Sequence, residues 1–210
     1  NELTPGRRNV LSLRGLTDWI QIRLEELQVG RSKGVISVST AIDRILHAEA
    51  RLPVTSQVVR NCIDVSRVRE LAGQGHLPKD WPANADPAAP MFLFAGRLEA
   101  RKGAPVAAAA FERVAKHFPN AYFLFAGGDG DTSKELGRSE LRALMPSVAS
   151  ERIRFFGDLR GDLLYGAMAN ATTIVCPSRW EAFGNIALEA KASGRPVIVT
   201  RGSGFDDFCS

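Results

Sequence analysis

The chain has 210 residues, 45% apolar and 24% charged, an ordinary globular balance from which a packed core in one large or two small domains is expected. Basic residues outnumber acidic ones by 27 to 23, and the net charge of +4 suits an anionic ligand or a membrane surface without demanding either. No apolar run reaches the ~18 residues of a membrane-crossing helix, and the opening stretch, with Glu2, Arg7 and Arg8 among turn formers, does not read as a secretory signal. Cys62, Cys176 and Cys209 follow no metal or disulfide spacing; they suit a reducing compartment and read as small hydrophobes. The start at Asn1 reads as that of a fragment or a processed product.

In chain order, Leu16, Ile20, Leu24 and Leu27 recur at helical spacing after Thr17 and Asp18, predicting an amphipathic helix that stops near Gly30. A short strand is expected at 35–38, a helix at 40–48 and a strand at 57–60. These elements are too few to close a doubly wound sheet, so 1–72 reads as the end of an incomplete N-terminal domain. Residues 73–90 are rich in Pro, Gly and Ala and read as an interdomain linker.

From residue 91 the pattern turns regular. The run 91–95 (MFLFA) is apolar without alternation, as a parallel strand buried on both faces requires. Pro105 opens a helix whose buried face is expected at Val106, Ala110, Val114 and Phe118. Further strands are expected at 122–126, 153–156, 172–176 and 197–200, separated by helices near 133–144, 161–169 and 184–193. Such alternation predicts an α/β fold: a Rossmann-like, doubly wound parallel sheet. The domain at 91–210 is expected to be truncated at its C-terminus.

Ligands of open α/β sheets bind beyond the carboxyl ends of the strands, and three of those ends carry unusual residues. After the first strand comes Gly96-Arg97-Leu98-Glu99-Ala100-Arg101-Lys102-Gly103, where glycines allow a close backbone approach. Arg97 and Lys102 would bring a guanidinium fork and a point charge to one mouth, which suits a diphosphate, although a solvated charged loop reads equally well. The second strand ends in Gly127-Gly128-Asp129-Gly130, either a close approach or a plain surface loop. The fourth leads into Cys176 to Ala190, reading CPSRWEAFGNIALEA. A helix beginning near Gly184 offers free N–H groups and a dipole to an anion. Glu181 precedes that terminus and Glu189 falls about five residues inside, roughly 8 Å along the axis. A diphosphate at the helix end would have a carboxylate on either side, each able to accept from hydroxyl groups of a sugar or a ribose. Trp180 reads as a stacking platform or as a core aromatic.

GRLEARKG, the E-x7-E spacing within PSRWEAFGNIALEA, and GRPVIVT together resemble the C-terminal domain of GT-B retaining glycosyltransferases of family 4. VISVSTAIDRIL and VVRNCID resemble the end of that family's N-terminal domain, so the resemblance runs from about residue 35 to the end. It implies transfer of a sugar from a nucleotide-diphosphate sugar to an acceptor, with retention of configuration and without a metal or other cofactor. It assigns the diphosphate to Arg97 and Lys102, the transferred sugar to Glu181 and the ribose to Glu189. Gly96, Gly128, Phe183, Gly184 and Asn185 would line the same donor site. Partners implied are the nucleotide sugar and a sugar, lipid-linked or small-molecule acceptor, at a cytoplasmic location with peripheral contact at the inner membrane face left open. Nucleic acid is not expected, because the basic residues are scattered and lack aromatic interleaving. The alternative to an enzyme is a truncated, non-catalytic nucleotide-sugar-binding module. Two departures stand out: Arg60-Asn61-Cys62-Ile63-Asp64 where relatives read PNGID, and Arg201 where a small residue is usual.

Overall fold

The computed structural model describes residues 13–50, 55–129 and 137–209. The chain forms two compact units that divide between Arg60 and Asn61. The first contains α1 (Leu13–Gly30), β1 (Gly34–Ser37), α2 (Thr40–Ala50) and β2 (Thr55–Val58), with β1 and β2 parallel. Ser39 opens α2 by accepting the Ile42 N–H on its hydroxyl at 3.2 Å. Within α1, the expected apolar stripe lies exposed at Ile20, Leu24 and Leu27.

The second unit opens with α3 (Val65–Gly73), a helix that the sequence did not suggest. Asp64 caps it, accepting the Arg67 N–H at 2.9 Å. There follow β3 (Met91–Ala95), α4 (Ala104–Ala115), β4 (Tyr122–Ala126), α5 (Arg138–Ala143), β5 (Ile153–Gly157), α6 (Gly161–Asn170), β6 (Thr173–Cys176), α7 (Asn185–Ala192) and β7 (Val197–Val199). Part of the helix expected at 133–144 lies outside the described residues. Among the described residues no helix is long and apolar enough to cross a membrane.

All five strands of this unit are parallel, in the order β5-β4-β3-β6-β7. Counted from β3 the order is 3-2-1-4-5, so the winding reverses between β3 and β6. Successive side chains of β3 and β4 enter opposite cores, which is why their sequences are apolar throughout. Phe94, Phe123 and Phe125 pack with Ala107, Phe111 of α4 and Leu141 of α5. On the other face Leu93, Ala95 and Leu124 pack with Ala167 and Met168 of α6 and Ala187 of α7.

The face that α4 buries differs from the expected one. Ala104, Ala107, Ala108 and Phe111 are buried, whereas Val106 and Phe118 are exposed. Both stripes have helical spacing, but the alanine stripe lets α4 approach the sheet closely and seats Phe111 against Phe123, with ring centroids 4.8 Å apart. The expected linker at 73–90 also reads differently in three dimensions. It is packed structure of the second unit: Pro78 and Ala89 are buried, and Trp81 stacks on Phe156 at 5.8 Å.

Candidate functional site

The winding reverses between β3 and β6, the point at which open α/β sheets bind their ligands, and the loops that follow these two strands meet at their carboxyl ends. The Arg179 N–H donates to the Arg101 carbonyl at 2.9 Å, tying one loop to the other. Gly103, the N-cap of α4, has a left-handed backbone (φ 78°), and a Cβ there would collide with the Pro177 carbonyl. Only glycine satisfies both demands. Gly184 does the same at the N-cap of α7, with φ 97° and the Phe205 ring where a Cβ would point.

Across this junction Lys102 forms an ion pair with Glu181. The Glu181 side chain is 10% exposed and that of Lys102 21%. The same carboxylate oxygen accepts from the Ser178 hydroxyl at 2.8 Å. The Ser178 carbonyl in turn accepts from the Thr200 hydroxyl beyond β7, and the Glu181 carbonyl accepts from the Gly204 N–H at 2.9 Å. The Glu181 carboxylate is thus held by groups that follow β3 and β6, as a buried carboxylate must be to offset its lost hydration, while the contacts from beyond β7 fix the backbone beneath it.

Arg97 lies on the same loop as Lys102 and is more exposed, pairing with Glu99 at 3.1 Å. Gly96 donates its N–H to Ala126 at 2.9 Å, and the Gly128 carbonyl accepts from Leu98 at 3.0 Å, so both glycines fasten this loop through their backbones. Phe183 is buried against Phe208, with centroids 5.0 Å apart. Asn185 is exposed at the first position of α7, and its side-chain oxygen accepts from the Asn61 amide at 3.1 Å.

Glu189 lies half-buried one turn further into α7. Burial pushes its carboxyl above the usual range, opposed by a hydrogen bond from the Tyr165 hydroxyl of α6. Cys176, wholly buried at the end of β6, has its thiol pushed up to about 12, again by burial, and is inert as a nucleophile. No group of three or more His, Cys, Asp and Glu side chains among the described residues could hold a metal ion.

The structure therefore brings Lys102 and Glu181 into contact, places Gly184 and Asn185 at the helix start beside them, and leaves Arg97 on the rim. Sequence reasoning brought Lys102 and Arg97 to one mouth without naming a protein partner for either, and in the structure Lys102 pairs with Glu181. It missed Glu99, Ser178 and Tyr165. Of these only Glu99 carries a sequence signal, a carboxylate between two arginines.

A parallel sheet wound in this order, with these two loops meeting at its carboxyl edge, is the Rossmann-like fold of the GT-B glycosyltransferases. Sucrose-phosphate synthase from Thermosynechococcus elongatus superposes with a TM-score of 0.71 at 23% identity, over 93% of this chain and 47% of that one. The Anabaena protein HepE, solved in complex with UDP-glucose, superposes with a TM-score of 0.69 at 20% identity, over 91% and 51%. Residues 89–209 match the family described as glycosyl transferases group 1, and the chain belongs to that family. Among curated relatives, a sulfoquinovosyl transferase of Arabidopsis thaliana is 32% identical over 125 residues, 60% of this chain and 22% of that protein. A glycogen synthase of Mycobacterium tuberculosis is 29% identical over 150 residues, 71% of this chain and 33% of that protein. The chain thus spans a third or less of these curated relatives and about half of the two solved neighbours.

Proposed function

We propose that the second unit binds a nucleotide-diphosphate sugar and that the protein transfers its hexose to an acceptor with retention of configuration, as a family 4 glycosyltransferase. The observation that carries this reading is the Lys102–Glu181 pair, a buried carboxylate with a half-buried ammonium beside the α7 N-terminus where the sheet reverses. A buried carboxylate at such a point is costly to the fold and characteristic of a ligand site. In this reading the diphosphate lies against the first N–H groups of α7, with backbone of Phe183, Gly184 and Asn185 around it. Arg97 and Lys102 offset the negative charge that grows on the leaving diphosphate as the glycosidic bond breaks, so the chain's own cations take the part a metal plays elsewhere. Glu181 accepts from hydroxyl groups of the sugar, and Glu189, freed from Tyr165, accepts from the ribose. The acceptor is a sugar, a lipid-linked or a small molecule. The neighbour solved with UDP-glucose makes a uridine nucleotide the first to try.

Calorimetric titration with UDP, GDP and ADP tests the donor site directly. Binding of one nucleotide is expected, weakened roughly tenfold or more in both Lys102→Ala and Glu189→Ala, because each removes a hydrogen bond to a charged group. A folded chain that binds none of the three would sink the proposal.

A further inference from the structure

Glu99 has no part in the reading given so far, yet its side chain is only 7% exposed. Its partners are two guanidinium groups on the same loop. Arg97 reaches its Oε1 through Nη2 at 3.1 Å and Arg101 reaches the same oxygen through Nη2 at 2.9 Å. Arg97 and Arg101 are far more open, at 58% and 46%. The main chain at Glu99 is tied down as well: the Glu99 N–H donates to the Arg97 carbonyl at 2.8 Å, and the Glu99 carbonyl accepts from Ala104 at the start of α4 at 3.3 Å.

We infer that Glu99 is a positioning residue for diphosphate binding, holding Arg97 at the mouth of that site before the nucleotide arrives. The inference rests on the donor site proposed above and concerns how that site is built. An exposed arginine samples many rotamers, and ordering it opposes binding. Because Glu99 engages one nitrogen of the fork, the remaining donors of Arg97 stay available to phosphate oxygens. Arg101 completes the arrangement through charge. Glu99 with Arg97 alone would be neutral, whereas two guanidiniums on one carboxylate leave the cluster one positive charge in excess (two minus one). The mouth therefore keeps a cation with a fixed address rather than a mobile one.

The sign of the effect separates this from a plain charge. Removing a carboxylate beside an anion site should tighten anion binding if only the net field matters. If Glu99 positions Arg97, its removal weakens binding instead. The test is titration of the nucleotide that the wild-type chain binds into Glu99→Gln, Arg97→Ala and the double variant, with circular dichroism to show that each is folded. Glu99→Gln should weaken binding about fivefold to tenfold, and in the Arg97→Ala background the same change should add nothing, the coupling expected of residues in contact. Glu99→Asp keeps the charge but withdraws it by one methylene, so it should also weaken binding; it serves if the glutamine variant fails to fold. Unchanged or tighter binding in the Glu99 variants overturns the inference and leaves the donor site standing. Equal weakening with and without Arg97 also overturns it, since Glu99 would then act on the loop and not on the arginine. A wild-type chain that binds no nucleotide removes the donor site, and this inference with it.

Discussion

At the amino ends of the strands of the second unit, Trp81, Asp86, Asn170, Thr172 and Arg195 help to line a groove of about 450 Å³. At the carboxyl ends two loops meet around Lys102, Glu181 and Glu99. The groove asks little of the fold: Asp86 and Arg195 are exposed, and their charges stay hydrated. The carboxyl end demands much more. Glu99 and Glu181 are the buried charged residues among those described, and both lie there. Two glycines of the same region sit in left-handed backbone with no room for a side chain. The site at the carboxyl ends is therefore read from its buried charges. What marks it is polarity that the fold keeps at a cost, which natural sequences tolerate chiefly where a ligand will use it.

The largest test of this contrast is Lys102→Ala. It leaves the buried Glu181 carboxylate with Ser178 as its remaining side-chain partner. Breaking a buried pair in this way should cost about 3 kcal/mol in urea unfolding, and adding Glu181→Gln should recover part of the loss. A loss below ~1 kcal/mol would place the pair with ordinary surface ion pairs and erase the contrast. Next in size is Gly103→Ala. Left-handed backbone alone costs an alanine about 1–2 kcal/mol, and the collision with Pro177 adds to that. Gly75 is the control, with a similar φ of 70° and nothing within 4 Å of an added Cβ. Gly75→Ala should therefore lose only the backbone share, and the gap between the two variants measures how tightly the loops are pressed together.

The parts that were legible in the sequence share a physical reason. MFLFA and YFLFA announce themselves because a strand covered on both faces has no polar positions to confuse the pattern. The helix α3 does not, since VSRVRELAG buries Val68 alone and offers no stripe to see. For α4 the alanines make two stripes equally plausible, and only the sheet decides between them. GRLEARKG and the E-x7-E spacing fall at the carboxyl ends of β3 and β6, because a loop at a topological switch shows as a break in the apolar pattern. The pairings within the site were not legible. Lys102 meets Glu181 across 79 positions of sequence, and Tyr165 meets Glu189 only because α6 and α7 lie side by side.

Glu189 sharpens the comparison through opposite effects on folding and binding. Its carboxyl is raised by burial, so the folded chain holds the proton more tightly than the unfolded one. The associated stability is full below the unfolded value and is lost as pH rises through the folded value. Ionised Glu189 therefore strains the fold at neutral pH. Glu189→Gln should melt higher than wild type at pH 7, with the gain shrinking as the pH falls toward 4. The same variant should bind the nucleotide several-fold more weakly, having lost a charged acceptor. If stability and affinity instead fell together, Glu189 would be an ordinary packing residue.

The smallest expected effect belongs to the amino end, and it decides whether that end takes part at all. Arg195 and Asp86 are the charged groups lining the groove. Asp86 accepts from the Ala88 N–H within its own turn at 2.9 Å, which fixes the turn and leaves the groove aside. Arg195→Ala should change unfolding free energy by less than about 0.5 kcal/mol and leave nucleotide affinity within about twofold. The two ends lie on opposite edges of one sheet, so a ligand at the carboxyl mouth gains no contact from Arg195 and little field through the protein at physiological salt. Weaker nucleotide binding in Arg195→Ala would require either a second anion site in the groove or transmission along β6 and β7. Titration of the variant at two salt concentrations separates these, because a direct anion contact fades as salt rises and a packing effect does not.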